Sequence, residues 1–308
     1  MRQRGEEMVP RAEFRSYYGQ PVIKPPAWKS PDVPAYFFLG GLAGASASMA
    51  ALAELTGRPR LALAGYLTAG AGAAAGTGAL IHDLGRPARF LNMLRMVKLT
   101  SPLSVGSWLL ASFGTLAGAA AASTVTGLLP GPARVAKAGA ALLGPAMMTY
   151  PAVLVADTAV PAWHEARREL PFVFAGAGLA SGGAVGMLAA PPRESGPARA
   201  MAVVGSALEL AGEAAITRHG LVSEPYHRGR AGRWFRAGRL LTAAGAVGAL
   251  VAGRHRRGAA ASGLALLAGS LCTRFGVFEA GRASARDPKY TVVPQRERLA
   301  ARGHSGPA

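Results

Sequence analysis

LALAGYLTAGAGAAAGTGALI, residues 61–81, contains no charged side chain and is fenced by Arg58 and Arg60 before it and by His82 and Asp83 after it. At a rise of about 1.5 Å per residue, a helix of this length reaches across a hydrocarbon core of about 30 Å. So much glycine makes a poor helix in water. In lipid the same composition lets backbones approach closely, and association then comes from packing. The run has no period-two alternation, so it reads as a helix rather than a barrel strand.

Working outward, the pattern recurs. Apolar runs at 34–55, 61–81, 103–129, 138–162, 170–190, 198–217, 237–253 and 258–278 alternate with short basic clusters such as Arg254-His255-Arg256-Arg257. Of the 308 residues 50% are hydrophobic and only 16% charged, yet the net charge is +18. A soluble chain carries roughly a quarter charged residues and disperses them. The expected fold is an all-α integral membrane bundle of about eight transmembrane helices with both termini on one side. Its parts are a polar N-terminal arm (1–33), a transmembrane domain (34–280) and a polar tail (281–308). The arm, with Arg2, Arg4, Arg11, Arg15, Lys24 and Lys29, is too long and polar for the n-region of a cleaved signal, despite Ala45-Ser46-Ala47 in the first run.

The terminus side holds about 24 Lys and Arg and the opposite side about nine. The positive-inside rule then predicts cytoplasmic termini in the cell membrane. The basic loops face anionic lipid headgroups, so the charge calls for no nucleic acid. Cys272 stands alone, which excludes a disulfide or a thiolate-held iron–sulfur cluster within the chain, and reads as an apolar filler in the last helix. The histidines His82, His164, His219, His227 and His255 fall at helix ends or in loops and His304 in the tail, a placement that does not suit axial ligation of haem. Trp28, Trp108 and Trp163 read as interfacial belt anchors.

Ionisable residues in or at the rims of spans are costly and are functional candidates by default. They are Glu54, Asp83, Asp157, Glu209, Glu213, Arg274 and Glu279. Glu209 and Glu213, four apart on one helix face, can relay a proton or pair with Arg274.

One segment is more specific than the rest: His82-Asp83-Leu84-Gly85-Arg86-Pro87-Ala88-Arg89-Phe90, followed by Met93-Leu94-Arg95, Lys98 and Thr100-Ser101-Pro102-Leu103-Ser104-Val105-Gly106-Ser107-Trp108. It resembles the NrfD/PsrC family, membrane subunits of polysulfide reductase-like molybdoenzyme complexes, in which such stretches close the second helix and open the third. Tyr36-Phe37-Phe38-Leu39-Gly40-Gly41-Leu42-Ala43-Gly44 is similar to the family's first helix. Tyr150-Pro151-Ala152-Val153-Leu154, Pro161-Ala162-Trp163 and Leu170-Pro171-Phe172 are similar to its fourth and fifth. The likeness is distinctive through the fifth span and general beyond it.

The resemblance implies a quinone-reactive anchor, with menaquinone as the expected bound substrate. It docks to a four-cluster ferredoxin-like iron–sulfur subunit and, through that, to a molybdopterin-type catalytic subunit holding molybdenum or tungsten. It places the quinone pocket among the first four helices, on the terminus side. There Asp83 is the proton-handling carboxylate and Tyr150 a hydroxyl donor to a quinone oxygen, with Tyr36, Arg86 and Asp157 as further binding residues. The alternatives are a helix-terminal Asp83 paired with Arg86 or Arg89, and a Tyr150 that is only an interfacial tyrosine. The charge count puts the quinone end inside the cell, which predicts a cytoplasmic, formate dehydrogenase-like partner. Two other function classes stay open: an ion or solute transporter, and a structural anchor without quinone chemistry.

Overall fold

The computed structural model describes residues 21–303; Arg2, Arg4, Arg11 and Arg15 of the arm and His304 lie outside the described residues. Among the described residues eight helices have 20 residues or more: α1 (Asp32–Leu55), α2 (Pro59–Asp83), α4 (Pro102–Thr126), α5 (Pro130–Ala156), α7 (Leu170–Ala189), α8 (Gly196–Ile216), α9 (Gly229–Val251) and α10 (Arg256–Arg286). Three shorter ones are α3 (Ala88–Met93), α6 (Pro161–Glu165) and α11 (Lys289–Gly303), and a 3-10 turn spans Gly220–Tyr226. Proline opens α2, α4, α5 and α6 at a position whose amide has no intrahelical partner to lose.

Five of the long helices, α1, α4, α5, α7 and α10, are apolar enough to cross a membrane by length and composition. The glycine and threonine of α2, the two glutamates of α8 and the arginines at the start of α9 dilute hydropathy in the other three. Element ends depart from the apolar runs for a physical reason. Hydropathy marks where lipid contact stops, whereas a helix continues until something breaks it. Thus α9 begins eight residues before its apolar run, in Gly229-Arg230-Ala231, and α10 runs on to Arg286. The run 138–162 is divided: α5 stops at Ala156, and Pro161 starts α6 after a short break.

Packing sorts the long helices into two rings of four. In the first, α1 contacts α2 and α5, and α4 contacts the same two. In the second, α7 contacts α8 and α10, and α9 closes the ring between them. The rings meet where α1 packs on α7 and α10, so α1 and α7 form the centre of the molecule. The aromatic core there joins Phe37 to Phe174 and Phe278, with centroids 5.6 and 6.4 Å apart.

Close backbone approach is visible where α1 crosses α5. A side chain on Gly44 would strike the Gly144 carbonyl, and one on Gly144 the Gly44 carbonyl. One residue farther along, Pro145 lacks an amide and leaves the Ala141 carbonyl without its helical donor. Ser48 Oγ of α1 donates to that carbonyl at 2.9 Å. In lipid no water can replace the missing donor, so this bond is a structural requirement of the proline.

Trp163 is fully buried, not an interfacial anchor: its indole N–H donates to the Val277 carbonyl at 2.8 Å, and Trp28 stacks on it at 5.7 Å. Trp28, Trp163 and the end of α10 at Gly281 therefore meet at one end of the bundle, the same end as the α2–α4 connection.

Candidate functional site

The motif loop folds into a defined cap. Gly85, at φ 71°, turns the chain after α2, and Arg89 Nη1 donates back to the Leu84 carbonyl at 3.3 Å. The short helix α3 and the residue after it then lay Phe90 and Leu94 over the space between α2 and α4. Ser104 Oγ and the Trp108 indole both donate to the Met96 carbonyl, at 3.0 and 3.2 Å, which ties the loop's return to the first turns of α4.

Asp83 closes α2, and its Oδ1 accepts the backbone N–H of Lys29 at 2.7 Å. One residue earlier, His82 Nδ1 lies 2.8 Å from Asp32 Oδ2. Both contacts tie the segment before α1 to the end of α2. Among the described residues no ion pair joins Asp83 to Arg86 or Arg89; Asp83 Oδ1 is taken by Lys29 and Arg89 turns to the Leu84 carbonyl.

Tyr150, buried on the penultimate turns of α5, donates its hydroxyl to the Pro102 carbonyl at 2.8 Å. Its ring occupies the place a side chain at position 106 would take, so Gly106 is what lets α5 reach the first turn of α4. Tyr36, also buried, packs on α1 against Phe37 and faces Gly76 of α2. Asp83, Tyr36 and Tyr150 thus gather at one end of the first ring. Arg86 and Asp157 are exposed at that end, and among the described residues neither side chain has a hydrogen-bond or ion-pair partner.

Beneath α3, a groove of about 580 Å³ runs between α2 and α4, lined by small residues with Thr77, Leu110 and Thr115 among them. Its lining includes neither Asp83 nor the two tyrosines. Leu110 lies one turn below Gly106, which places the groove next to the Tyr150 contact.

The second ring holds buried charge of another kind. Arg274 of α10 is fully buried, donates through Nη2 to the Phe174 carbonyl at 2.8 Å and stands 3.8 Å above the Phe174 ring. Among the described residues its Nε and Nη1 have no hydrogen-bond partner, nor does Glu209 Oε1. Glu213 pairs instead with Arg239 of α9 at 3.2 Å and accepts from Thr273 at 3.3 Å. The sequence pairing of Arg274 with a glutamate is not made, because the Arg274 side chain runs toward α1 at Gly41 and α7 rather than along α8.

Sequence reasoning missed Glu194. Its Oε2 accepts the amides of Arg60 and Leu61 at 2.9 and 3.2 Å, closing the start of α2 from the turn between α7 and α8. No local pattern announces a cap contributed from so far along the chain.

The model of the family described as polysulphide reductase, NrfD, matches residues 24–190. The chain belongs to the NrfD family. The match covers the whole first ring and α7, and it ends where α7 ends. The NrfD motif loop, Asp83, Tyr36 and Tyr150 all fall within it, while Glu209, Glu213 and Arg274 lie outside. With its apolar helices, this NrfD-family chain is a multi-pass membrane protein of a family that supplies membrane subunits to oxidoreductases. No curated protein matches it.

Proposed function

We propose that this chain is the quinone-reactive subunit of a multi-subunit molybdenum or tungsten oxidoreductase. It crosses the cell membrane eight times, and its termini and motif loop face the cytoplasm. At that face it docks a four-cluster ferredoxin-like iron–sulfur subunit, through which electrons pass to or from a molybdopterin-type, formate dehydrogenase-like partner. Two electrons from that partner and two protons from the aqueous face convert a quinone, of the menaquinone type, to its quinol; the reverse reaction returns them.

The observation that carries this reading is the gathering of Asp83, Tyr36 and Tyr150 beside an apolar groove, under the loop that marks the family. Binding such a substrate requires an apolar slot for the tail and a few polar groups at the head. The groove between α2 and α4 suits the tail. At the head, Tyr150 donates to a quinone oxygen by turning its hydroxyl away from the Pro102 carbonyl. Asp83, at the rim and already held in orientation by Lys29, exchanges the proton with water. Arg86 and Asp157, exposed with nothing bound to them, are free to meet the partner.

The test is quinone turnover by the intact complex carrying Asp83→Asn. General acid–base participation is worth about 10²–10⁴-fold, so turnover should fall by at least that lower figure with the subunits still assembled. Unchanged turnover assigns the chain to a structural anchor. Labelling of cysteines placed in the 82–102 loop checks the orientation: reaction with external reagent in intact cells overturns the cytoplasmic placement.

A further inference from the structure

At the same end of the bundle as the motif loop, the start of α9 and the last turns of α10, with Ser30 ahead of α1, enclose a cavity of about 440 Å³. Four arginines line it, Arg228, Arg230, Arg282 and Arg286, against one carboxylate, Glu279. Arg228 is paired with Glu224, and Arg282 stands 3.7 Å from Glu279 Oε1. Arg230 and Arg286 are exposed, and among the described residues neither has an ion-pair partner. The cavity therefore carries an excess of two positive charges.

Its wall also includes Gly229, Arg230 and Ala231, the first turn of α9, whose start has no side-chain cap. Uncapped amides at a helix start and guanidinium forks recognise the same chemistry, a phosphate or similar oxyanion.

The outer face of α9 says where that phosphate comes from. Arg233, Arg236, Leu240, Val247 and Val251 are all exposed and follow at helical spacing along one stripe, basic at the cavity end and apolar below. Trp234, half-buried against Phe275, lies among the basic turns just ahead of the apolar ones, where interfacial tryptophans concentrate. A phospholipid has this profile: an anionic head above two hydrocarbon chains.

We infer that the cavity between α9 and α10 is a binding site for the phosphodiester headgroup of an anionic phospholipid, with the acyl chains lying along α9. The site shares no lining residue with the groove between α2 and α4, and its assignment does not depend on the quinone reading.

Thermal unfolding of the purified full-length chain in neutral detergent tests this. Phosphatidylglycerol should raise the midpoint above the effect of phosphatidylcholine, and millimolar inorganic phosphate should not reproduce the gain. Each arginine removed should weaken the lipid effect about fivefold, so Arg230→Gln with Arg286→Gln should abolish most of it. Arg254→Gln with Arg257→Gln, at the other end of the bundle, should retain it. Equal gains from the two lipids, or a gain unchanged by the arginine substitutions, overturns the assignment; full protection by inorganic phosphate overturns the lipid source. Where the double variant does not fold, phosphatidylglycerol retained by Arg286→Gln is counted by native mass spectrometry, and retention equal to the parent protein's also overturns it.

Discussion

At Tyr150 the hydroxyl has a single proton, and the Pro102 carbonyl holds it. Any donation to a ligand is therefore an exchange of one acceptor for another, which keeps the binding cost small because the bond given up is worth only about 1 kcal/mol net. The ring itself is fixed by the absence of a side chain at Gly106. Gly106→Ala should push the ring off that seat, destabilising the fold by about 1–3 kcal/mol and reducing quinone turnover in the assembled complex. Thermal unfolding and turnover measured together check this, since a turnover equal to the parent protein's sets Tyr150 aside as a quinone ligand. Tyr150→Phe is the companion: the ring stays seated and only the donor is lost.

Among the elements, α11 is held by polar contacts at its two ends: Arg298 stands 3.3 Å from Glu165 of α6, and a second cluster forms at Glu224. Tyr290 donates to Glu224 Oε2 at 3.1 Å and Lys289 Nζ stands 3.0 Å from the same oxygen. Lys289 beside it holds the Glu224 carboxyl below its ordinary 4.5, and Glu224 in turn holds the Lys289 ammonium above its ordinary 10.5. A lowered carboxylate stabilises the docked state above its unfolded value and loses that contribution as pH falls through the folded one. A raised ammonium stabilises below its unfolded value and loses it as pH rises past the folded one. Docking of α11 should thus hold from neutral pH to about pH 10 and loosen in acid beneath the carboxylate range. Hydrogen exchange of 289–300 across this range measures it, and Glu224→Gln should shrink the acid limb at the start of α11 while the Arg298–Glu165 pair stays in place. Elements like this were hard to read from sequence because their contacts are polar, sparse and distant. The long helices were legible because lipid imposes a run length, and the motif loop because its residue order is specific. Contacts that cross between elements were not. Trp163 looked like a belt residue from its place near a span end, and only the fold brings Val277, Trp28 and the end of α10 around it. Asp83 was legible as a rim carboxylate, but its partner, a backbone amide of Lys29, belongs to no residue-type pattern.

For the whole molecule, Arg274 reaches from the second ring to Phe174 and Gly41, where the rings join, and leaves two nitrogens unpaired. Arg274 and Glu209 are both fully buried without a direct ion pair, yet opposite charges in a low-dielectric interior still attract across a gap, and removing one leaves the other uncompensated. Arg274→Met alone should therefore destabilise the bundle more than Arg274→Met combined with Glu209→Gln. A double-mutant cycle on thermal stability reads the coupling, and additive effects would show that the two groups do not sense each other. The rings are fastened a second time at the other end, through Glu194. The family-matched stretch finishes at residue 190, four positions short of that glutamate. A gene fragment cut at the family border would keep Asp83, Tyr36 and Tyr150 yet discard the buckle that shuts α2, so the segment evolution recognises as a unit is not one that can be excised and expected to stand alone.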